Sequence, residues 1–147
     1  MAAPYTLLYV SEASATFEPE VGIEKIVVPS IEWNRSVGIT GLLLYSGGFF
    51  SQYLEGDQGA VEDLIAKIKR DPRHHSLVIV QTMSRPKRIF PRWSLAYAGD
   101  AAFVTNEITR LYTIAQKGTV PESAPMRLIK LMQDFLAVRA GLSETIH

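Results

Sequence analysis

The stretch GITGLLLYSGGFFSQYLEG, residues 38–56, contains two apolar runs joined by a pair of glycines. A Gly-Gly pair between such runs is typical of a tight turn, so the pattern predicts a β-hairpin with strands over 38–46 and 49–55. Side chains alternate between the two faces of a strand, which places Gln52 on the same face as Phe50 and Leu54. Leaving a buried amide without partners costs about 1–3 kcal/mol. Gln52 is therefore expected to have specific hydrogen-bond partners inside the protein.

Elements on both sides of the hairpin define the fold class. They are, in chain order, a strand over 5–11, a helix over 18–34, a helix over 57–72, a strand over 76–83 and a weaker strand over 90–99. Asp57 is the expected N-cap of the second helix, and Pro29 is expected to kink or restart the first. The order β-α-β-β-α-β plus one strand predicts an α+β, ferredoxin-like split βαβ fold, with an antiparallel sheet and two helices on one face.

Two further helices are predicted in the C-terminal third. Thr105 is the expected N-cap of the first, and the second covers about residues 125–140. This last helix is apolar around more than half of its circumference, so it requires burial on two sides. It can pack on the open sheet face, on a second subunit, or on both. We predict a division into residues 1–100 and a helical extension, 101–147, which belongs to the same compact unit and forms an interface.

Composition narrows the classes of function. The chain has 147 residues, 47% hydrophobic and 20% charged, as in a single globular domain. Fifteen basic and fifteen acidic residues give no net charge. This balance argues against electrostatic binding of nucleic acid or of an anionic membrane over a broad surface. There is no cysteine for a disulfide or a cysteine-based metal site. No apolar run is long enough for a membrane span and no signal peptide is predicted, so a cytoplasmic location is expected.

Three polar side chains are predicted to point inward from neighbouring elements: Tyr9, Asn34 and Gln52. Separately, they can be a core tyrosine, a helix cap and an amide bonded to a loop carbonyl. Together, a phenol and two carboxamides match the edge of a heterocycle such as a flavin or a nucleobase. Arg73 and His74 can hold a carbonyl or a phosphate, or belong to a solvated loop. Neither a nucleophile with its base, nor a metal-ligand spacing, nor a glycine-rich phosphate loop is found, so an enzyme and a metal site are not predicted.

The motifs, taken in order, resemble the BLUF family, the blue-light sensors using FAD. The resemblance covers roughly residues 5–99, through LLYVSEA, ITGLLLYSGGFFSQYLEG, a V-x-x-L-I helix, DPRHHS and R-x-F-x-x-W-S-L. It implies FAD as cofactor, with light-driven electron and proton transfer from Tyr9 through Gln52. The other positions that it assigns are Asn34 at the polar edge of the flavin, Ile26 and Ile68 beside the ring, Lys67 toward the phosphate, Arg73 and His74 near the pyrimidine end, and Trp93 and Leu95 in signal relay.

The resemblance also implies how the signal leaves the protein. No output catalytic domain is expected in this chain, so a photosensory protein is predicted to act through its C-terminal helices on a homo-oligomer or an unknown downstream protein. Four residues depart from the usual family pattern: Pro29, Trp33, Ser51 and Leu95. A small-molecule or RNA-binding regulatory module without photochemistry is the alternative on the same fold. An RNA-binding module would require a basic face and an aromatic motif, and the sequence has neither.

Overall fold

A computed structural model describes the backbone of residues 3–146 and the side chains of residues 3–137. Five strands and four helices are found in this part of the chain. The strands are β1 (Tyr5–Ala13), β2 (Thr40–Ser46), β3 (Phe49–Gly56), β4 (His74–Ser84) and β5 (Trp93–Gly99). The helices are α1 (Pro19–Ser36), α2 (Gln58–Lys69), α3 (Ala102–Gln116) and α4 (Met126–Ile146). The predicted α+β class and element order are confirmed.

The five strands form one sheet in the order β4-β1-β3-β2-β5. The strand that carries Gln52, β3, is at the centre, as its apolar sequence predicts. The pairs β4–β1, β1–β3 and β3–β2 are antiparallel. The edge strand β5 instead runs parallel to its neighbour β2. The prediction of an antiparallel sheet is therefore wrong for β5. The chain leaves β4 at one edge of the sheet and enters β5 at the opposite edge in the same direction as β2.

Each face of the sheet is covered by a pair of helices. Helices α1 and α2 pack on the first face through buried residues such as Ile23 and Ile65. Helices α3 and α4 pack on the second face, where Leu128, Ile129 and Met132 of α4 are buried in the core. Of the alternatives predicted for the last helix, packing on the open sheet face is confirmed. We call the two sides the α1/α2 face and the α3/α4 face.

One local prediction about a helix boundary is wrong, and one of the two alternatives predicted for another helix is excluded. Helix α3 begins at Ala102, and Thr105 lies inside its first turn rather than at its N-cap. The Thr105 hydroxyl is used differently, because it bonds the Ala101 carbonyl at 3.1 Å and the Ser46 hydroxyl at 2.8 Å. At Pro29, where a kink or a restart is predicted, the restart is excluded because helix α1 runs unbroken to Ser36. In contrast, the predicted cap of α2 is confirmed, since the Asp57 carboxylate accepts a bond from the Ala60 N–H at 3.2 Å.

A buried carboxylate fixes the loop between β4 and β5. Glu55, on the central strand, is fully buried and accepts hydrogen bonds from the backbone N–H groups of Ile89 and Phe90 at 2.9 and 2.5 Å. One residue earlier, Arg88 donates to the carbonyl oxygens of Gly38 and Glu55 at 2.9 and 3.0 Å. The loop is therefore tied to the sheet immediately before β5 begins.

Glu55→Gln is expected to lower the free energy of unfolding by about 1–3 kcal/mol, because an amide NH₂ replaces one acceptor and leaves a buried N–H unpaired. Urea denaturation measures the change. Glu24→Gln, at an exposed position on α1, is the matched control and is expected to have little effect. Equal stability of the two variants would contradict the anchoring role of Glu55.

Candidate functional site

A cleft of about 360 Å³ lies between α1 and α2, above the α1/α2 face of the sheet. Its floor is formed by strand residues, its walls by one helix on each side, and its end by the turn after α2. Most of the lining is apolar with a few polar groups, which is typical of a site for a small organic ligand. The lining residues are Tyr9, Leu43, Phe50 and Gln52 at the floor, Ile26, Pro29, Ser30, Trp33 and Asn34 from α1, Leu64 and Ile68 from α2, and Asp71, Arg73 and His74 at the end.

Tyr9 and Gln52 are directly joined at the floor of the cleft. They are cross-strand partners on β1 and β3, so their side chains stand next to each other on the same face. The Tyr9 hydroxyl donates to the Gln52 Oε1 at 2.8 Å, and both residues are buried. Burial raises the pKa of the Tyr9 phenol well above its usual range, and the negative charge of Asp71 raises it further. Tyr9 is therefore a neutral phenol whose proton points at the amide oxygen of Gln52.

Asn34 presents a buried acceptor with no partner among the described residues. It is 2% exposed, lines the cleft from the last turn of α1, and its Oδ1 makes no hydrogen bond in that part of the chain. The side chain does not cap α1. An unpaired buried acceptor costs about 1–3 kcal/mol. At this position in the cleft, the Asn34 Oδ1 is able to accept a hydrogen bond from a ligand that carries an N–H donor.

The end of the cleft is a small network of charged and polar groups. The Arg73 guanidinium forms a two-point ion pair with the Asp71 carboxylate, with contacts of 2.9 and 2.5 Å. This hydrogen bonding lowers the pKa of Asp71 and raises the pKa of Arg73. His74 bonds the Ile68 carbonyl through Nε2 at 2.5 Å and the Ser11 hydroxyl through Nδ1 at 2.7 Å. Because a carbonyl only accepts, the His74 Nε2 donates this hydrogen bond to Ile68.

The remaining sequence-predicted cofactor residues divide into two groups. Ile26 of α1 and Ile68 of α2 both line the cleft, one from each helical wall. Lys67 does not line the cleft. Its Nζ lies 3.5 Å from the centre of the Trp33 indole ring, at the mouth between the two helices.

The two residues predicted to relay a signal, Trp93 and Leu95, do not line the cleft. Trp93 is 5% exposed, and its Nε1 has no hydrogen-bond partner in the described part of the chain. Leu95 is half-buried and pairs with Leu43 of β2, which in turn pairs with Gln52. Leu95 is therefore separated from Gln52 at the floor of the cleft by one residue, Leu43, on the strand between them.

A register shift follows Leu95 directly. Leu43 pairs with Leu95 and Leu44 pairs with Tyr97, so Ala96 is an extra residue in β5. Such a β-bulge breaks the alternation of side chains. Ala96 and Tyr97 consequently both join the cluster of the α3/α4 face. Strand β5 thus contacts the core of the α1/α2 face through Trp93 and Leu95, and the core of the α3/α4 face through Ala96 and Tyr97.

Several cleft residues were not predicted from sequence. Asp71 is the most important, because it holds Arg73 in place, and the Asp-x-Arg spacing was the available signal. Phe50 shares strand phase with Gln52, and Leu64 shares the apolar stripe of Ile68, so both could be inferred to face the same side. Ser30 belongs to the inward stripe of α1 that ends at Asn34, so it too could be inferred to face the cleft, where its hydroxyl bonds the Ile26 carbonyl of its own helix at 2.6 Å.

Two kinds of feature are absent from the described residues, a membrane-spanning helix and a cluster of metal ligands. No helix there combines the length and hydropathy needed to cross a membrane. Within the same residues, His, Asp and Glu side chains do not gather in groups of three or more that could hold a metal ion.

Comparison with known proteins gives consistent matches. The family model described as "BLUF: Sensors of blue-light using FAD" matches residues 5–96. The photoactivated adenylate cyclase subunit beta of Euglena longa is 35% identical over 101 residues, which are 68% of this chain and 12% of that protein. The chain therefore spans about one eighth of the length of this relative.

Two solved structures are similar over nearly their whole length. The photo-activated state of BlsA has a TM-score of 0.71 and 25% identity, with 88% of this chain and 94% of that chain covered. The dark-state structure of BlrB, described as a BLUF protein, has a TM-score of 0.69 and 27% identity, with 95% and 98% covered. Both matches extend beyond β5 into the helices of the α3/α4 face.

Proposed function

Since the chain belongs to the BLUF family of blue-light sensors using FAD, we propose that it binds a flavin in the cleft between α1 and α2 and responds to blue light. The observation that carries this proposal is the Tyr9–Gln52 hydrogen bond of 2.8 Å at the floor of the cleft, which is also lined by Asn34, whose Oδ1 has no hydrogen-bond partner among the described residues. The donors and acceptors of the two amides suit the polar edge of the ring, and Ile26 and Ile68 suit its flat faces.

FAD is the flavin that we propose. The last turn of α2 and the turn that follows it carry Lys67, Arg70 and Arg73 around a shallow basin, which shares Asp71 and Arg73 with the cleft. Cationic side chains next to an aromatic site suit a flavin that carries phosphate groups. In this arrangement the ring occupies the cleft, and the phosphate-bearing tail leaves it beside the basin.

The residues of the chain provide a route for one electron and one proton. A bound flavin supplies the absorption of blue light and, once excited, a strong oxidant. Tyr9 is the electron donor, and its hydroxyl proton becomes acidic as the electron leaves. The Gln52 Oε1 is within hydrogen-bond distance of that proton. Because a carboxamide carries an acceptor and a donor side by side, Gln52 can accept the proton at Oε1 and pass a proton on from its nitrogen. Once the electron and a proton have returned to Tyr9, the neutral amide would be left rotated or tautomerised, with its hydrogen bonds exchanged.

We propose that the signal then crosses the sheet along β5. Gln52, Leu43 and Leu95 are consecutive partners across β3, β2 and β5. After the bulge, Tyr97 stacks on Phe135 of α4 with ring centres 5.2 Å apart. A shift at Leu95 can thus reach α4 through one aromatic contact. In this proposal, residues 1–100 sense light, and the extension of residues 101–147 passes the change to a second copy or a downstream protein without catalysis in this chain.

The absorption spectrum tests the proposal. Protein loaded with FAD is expected to be yellow and to show a small, reversible red shift of the flavin band under blue light. Protein that cannot be loaded with flavin, or whose band does not move on illumination, would contradict it. The same measurement separates a photosensor from a regulatory module on the same fold without photochemistry.

Gln52→Leu is expected to retain flavin and lose the normal red shift, since leucine fills similar space but provides neither donor nor acceptor. The light-minus-dark difference spectrum measures the loss. Gln58→Leu, at an exposed position at the start of α2, is the control and is expected to shift normally. A normal red shift in Gln52→Leu would remove Gln52 from the mechanism.

A further inference from the structure

One contact joins the two helices at the mouth of the cleft. Trp33 of α1 lines the cleft and is 45% exposed, which leaves much of a large apolar ring in water. Lys67 of α2 reaches across and places its Nζ 3.5 Å from the centre of that ring. An ammonium over the face of tryptophan is the most favourable cation–π geometry.

Lys67 takes this position although carboxylates are near it in the sequence. Asp63 lies four residues earlier on α2, at the spacing of a helical ion pair. Asp71 lies four residues later, where its carboxylate is bonded to Arg73. Among the described residues, the ion pairs do not include Lys67. The Trp33 ring is therefore the specific contact of the Lys67 ammonium, and the contact spans the opening rather than stabilising α2 alone.

We propose that Trp33 and Lys67 form a clasp that closes the mouth of the cleft and sets the rate at which a bound flavin leaves. The inference rests on the proposed function. In this proposal a flat ring lies between Ile26 of α1 and Ile68 of α2, which both line the cleft, and its release is expected to require the two helices to separate. The clasp bridges the mouth of the cleft, next to the cationic basin where the phosphate-bearing tail emerges. Opening the clasp therefore precedes release of the ring.

Flavin dissociation tests the clasp. The rate is measured from the rise of flavin fluorescence after dilution of loaded protein. Lys67→Ala and Trp33→Leu are each expected to accelerate release about 2–5-fold, the factor that corresponds to about 0.5–1 kcal/mol for an exposed cation–π contact. The double variant is expected to be no faster than the faster single variant, because both changes remove the same contact.

Two further variants separate the clasp from general effects on α2. Lys67→Arg is expected to restore slow release, because a guanidinium also binds an aromatic face. Lys69→Ala, an exposed lysine on the same helix, is expected to release flavin at the normal rate. Normal release from Lys67→Ala, or effects of the two single changes that simply add, would overturn the proposal.

A measurement without flavin distinguishes failure of the clasp from failure of the proposed function. Trp33 is one of two tryptophans, and its emission is the difference between the native protein and Trp33→Phe. In flavin-free protein, Lys67→Ala is expected to make this emission more accessible to acrylamide, and Lys69→Ala is not. Equal quenching in both variants overturns the clasp even if flavin binds, whereas increased quenching in a protein that binds no flavin overturns only the proposed function.

Discussion

Tyr9→Phe is expected to abolish the light-induced red shift while the protein still binds flavin. Phenylalanine fills the same space at the floor of the cleft but has no hydroxyl, so the 2.8 Å bond to the Gln52 Oε1 is lost. A phenyl ring is also a much poorer electron donor than a phenol. Both the electron and the proton that would leave Tyr9 are therefore missing. The light-minus-dark absorption difference is expected to fall to the noise level at unchanged flavin content.

Tyr53→Phe is the matched control for this experiment. Tyr53 is next to Gln52 on the same strand and is equally buried, but its side chain belongs to the α3/α4 face, where its hydroxyl accepts a bond from Arg85 at 2.9 Å. It is expected to keep the full red shift. A normal photocycle in Tyr9→Phe, or an equal loss in both variants, would show that the phenol at the cleft has no special role.

Gly41→Ala is expected to cause the largest loss of stability, roughly 3–5 kcal/mol, at the top of the range for single substitutions. Gly41 has a φ of +147° on β2, and an added Cβ would overlap the Tyr53 carbonyl oxygen and lie 3.2 Å from the Leu54 Cα. These are backbone atoms of the central strand and cannot rotate away. Relief requires β2 to separate from β3, which breaks ladder hydrogen bonds beside the cleft.

Gly48→Ala separates steric overlap from backbone strain. Gly48 also has a positive φ, +89°, but an added Cβ would meet nothing within 4 Å. It is expected to cost about 1 kcal/mol, from the left-handed conformation alone. Urea denaturation of the two variants measures the difference. Equal losses would show that the close approach of β2 and β3 at Gly41 is not limiting.

The parts of the site that sequence could predict are those set by local periodicity. The inward direction of Gln52 follows from strand alternation, and that of Asn34 from helical spacing, and both side chains are buried. Neither depends on where distant segments finally pack. The position of the hairpin in the middle of the sheet could be predicted for a similar reason, because its apolar runs require burial on both faces.

The parts that were missed depend on contacts between distant segments. The parallel direction of β5 is decided by a loop that crosses from one edge of the sheet to the other. The Trp33–Lys67 contact joins two helices 34 positions apart, and neither helix shows a spacing that anticipates it. Thr105 has the residue type of an N-cap, but its hydroxyl bonds Ser46 on β2, a partner that local sequence does not reveal.

The attachment of the β4–β5 loop fixes the start of β5 and so determines which part of the strand can move. The start of β5 is held in place, because the Glu55 carboxylate accepts hydrogen bonds from the N–H groups of Ile89 and Phe90, which precede the strand. The point at which β5 can deform is the extra residue Ala96, where the pairing with β2 shifts by one residue. A displacement of Leu95 is therefore expected to shift the second half of β5, which contacts α4 through Tyr97, more than the start of the strand.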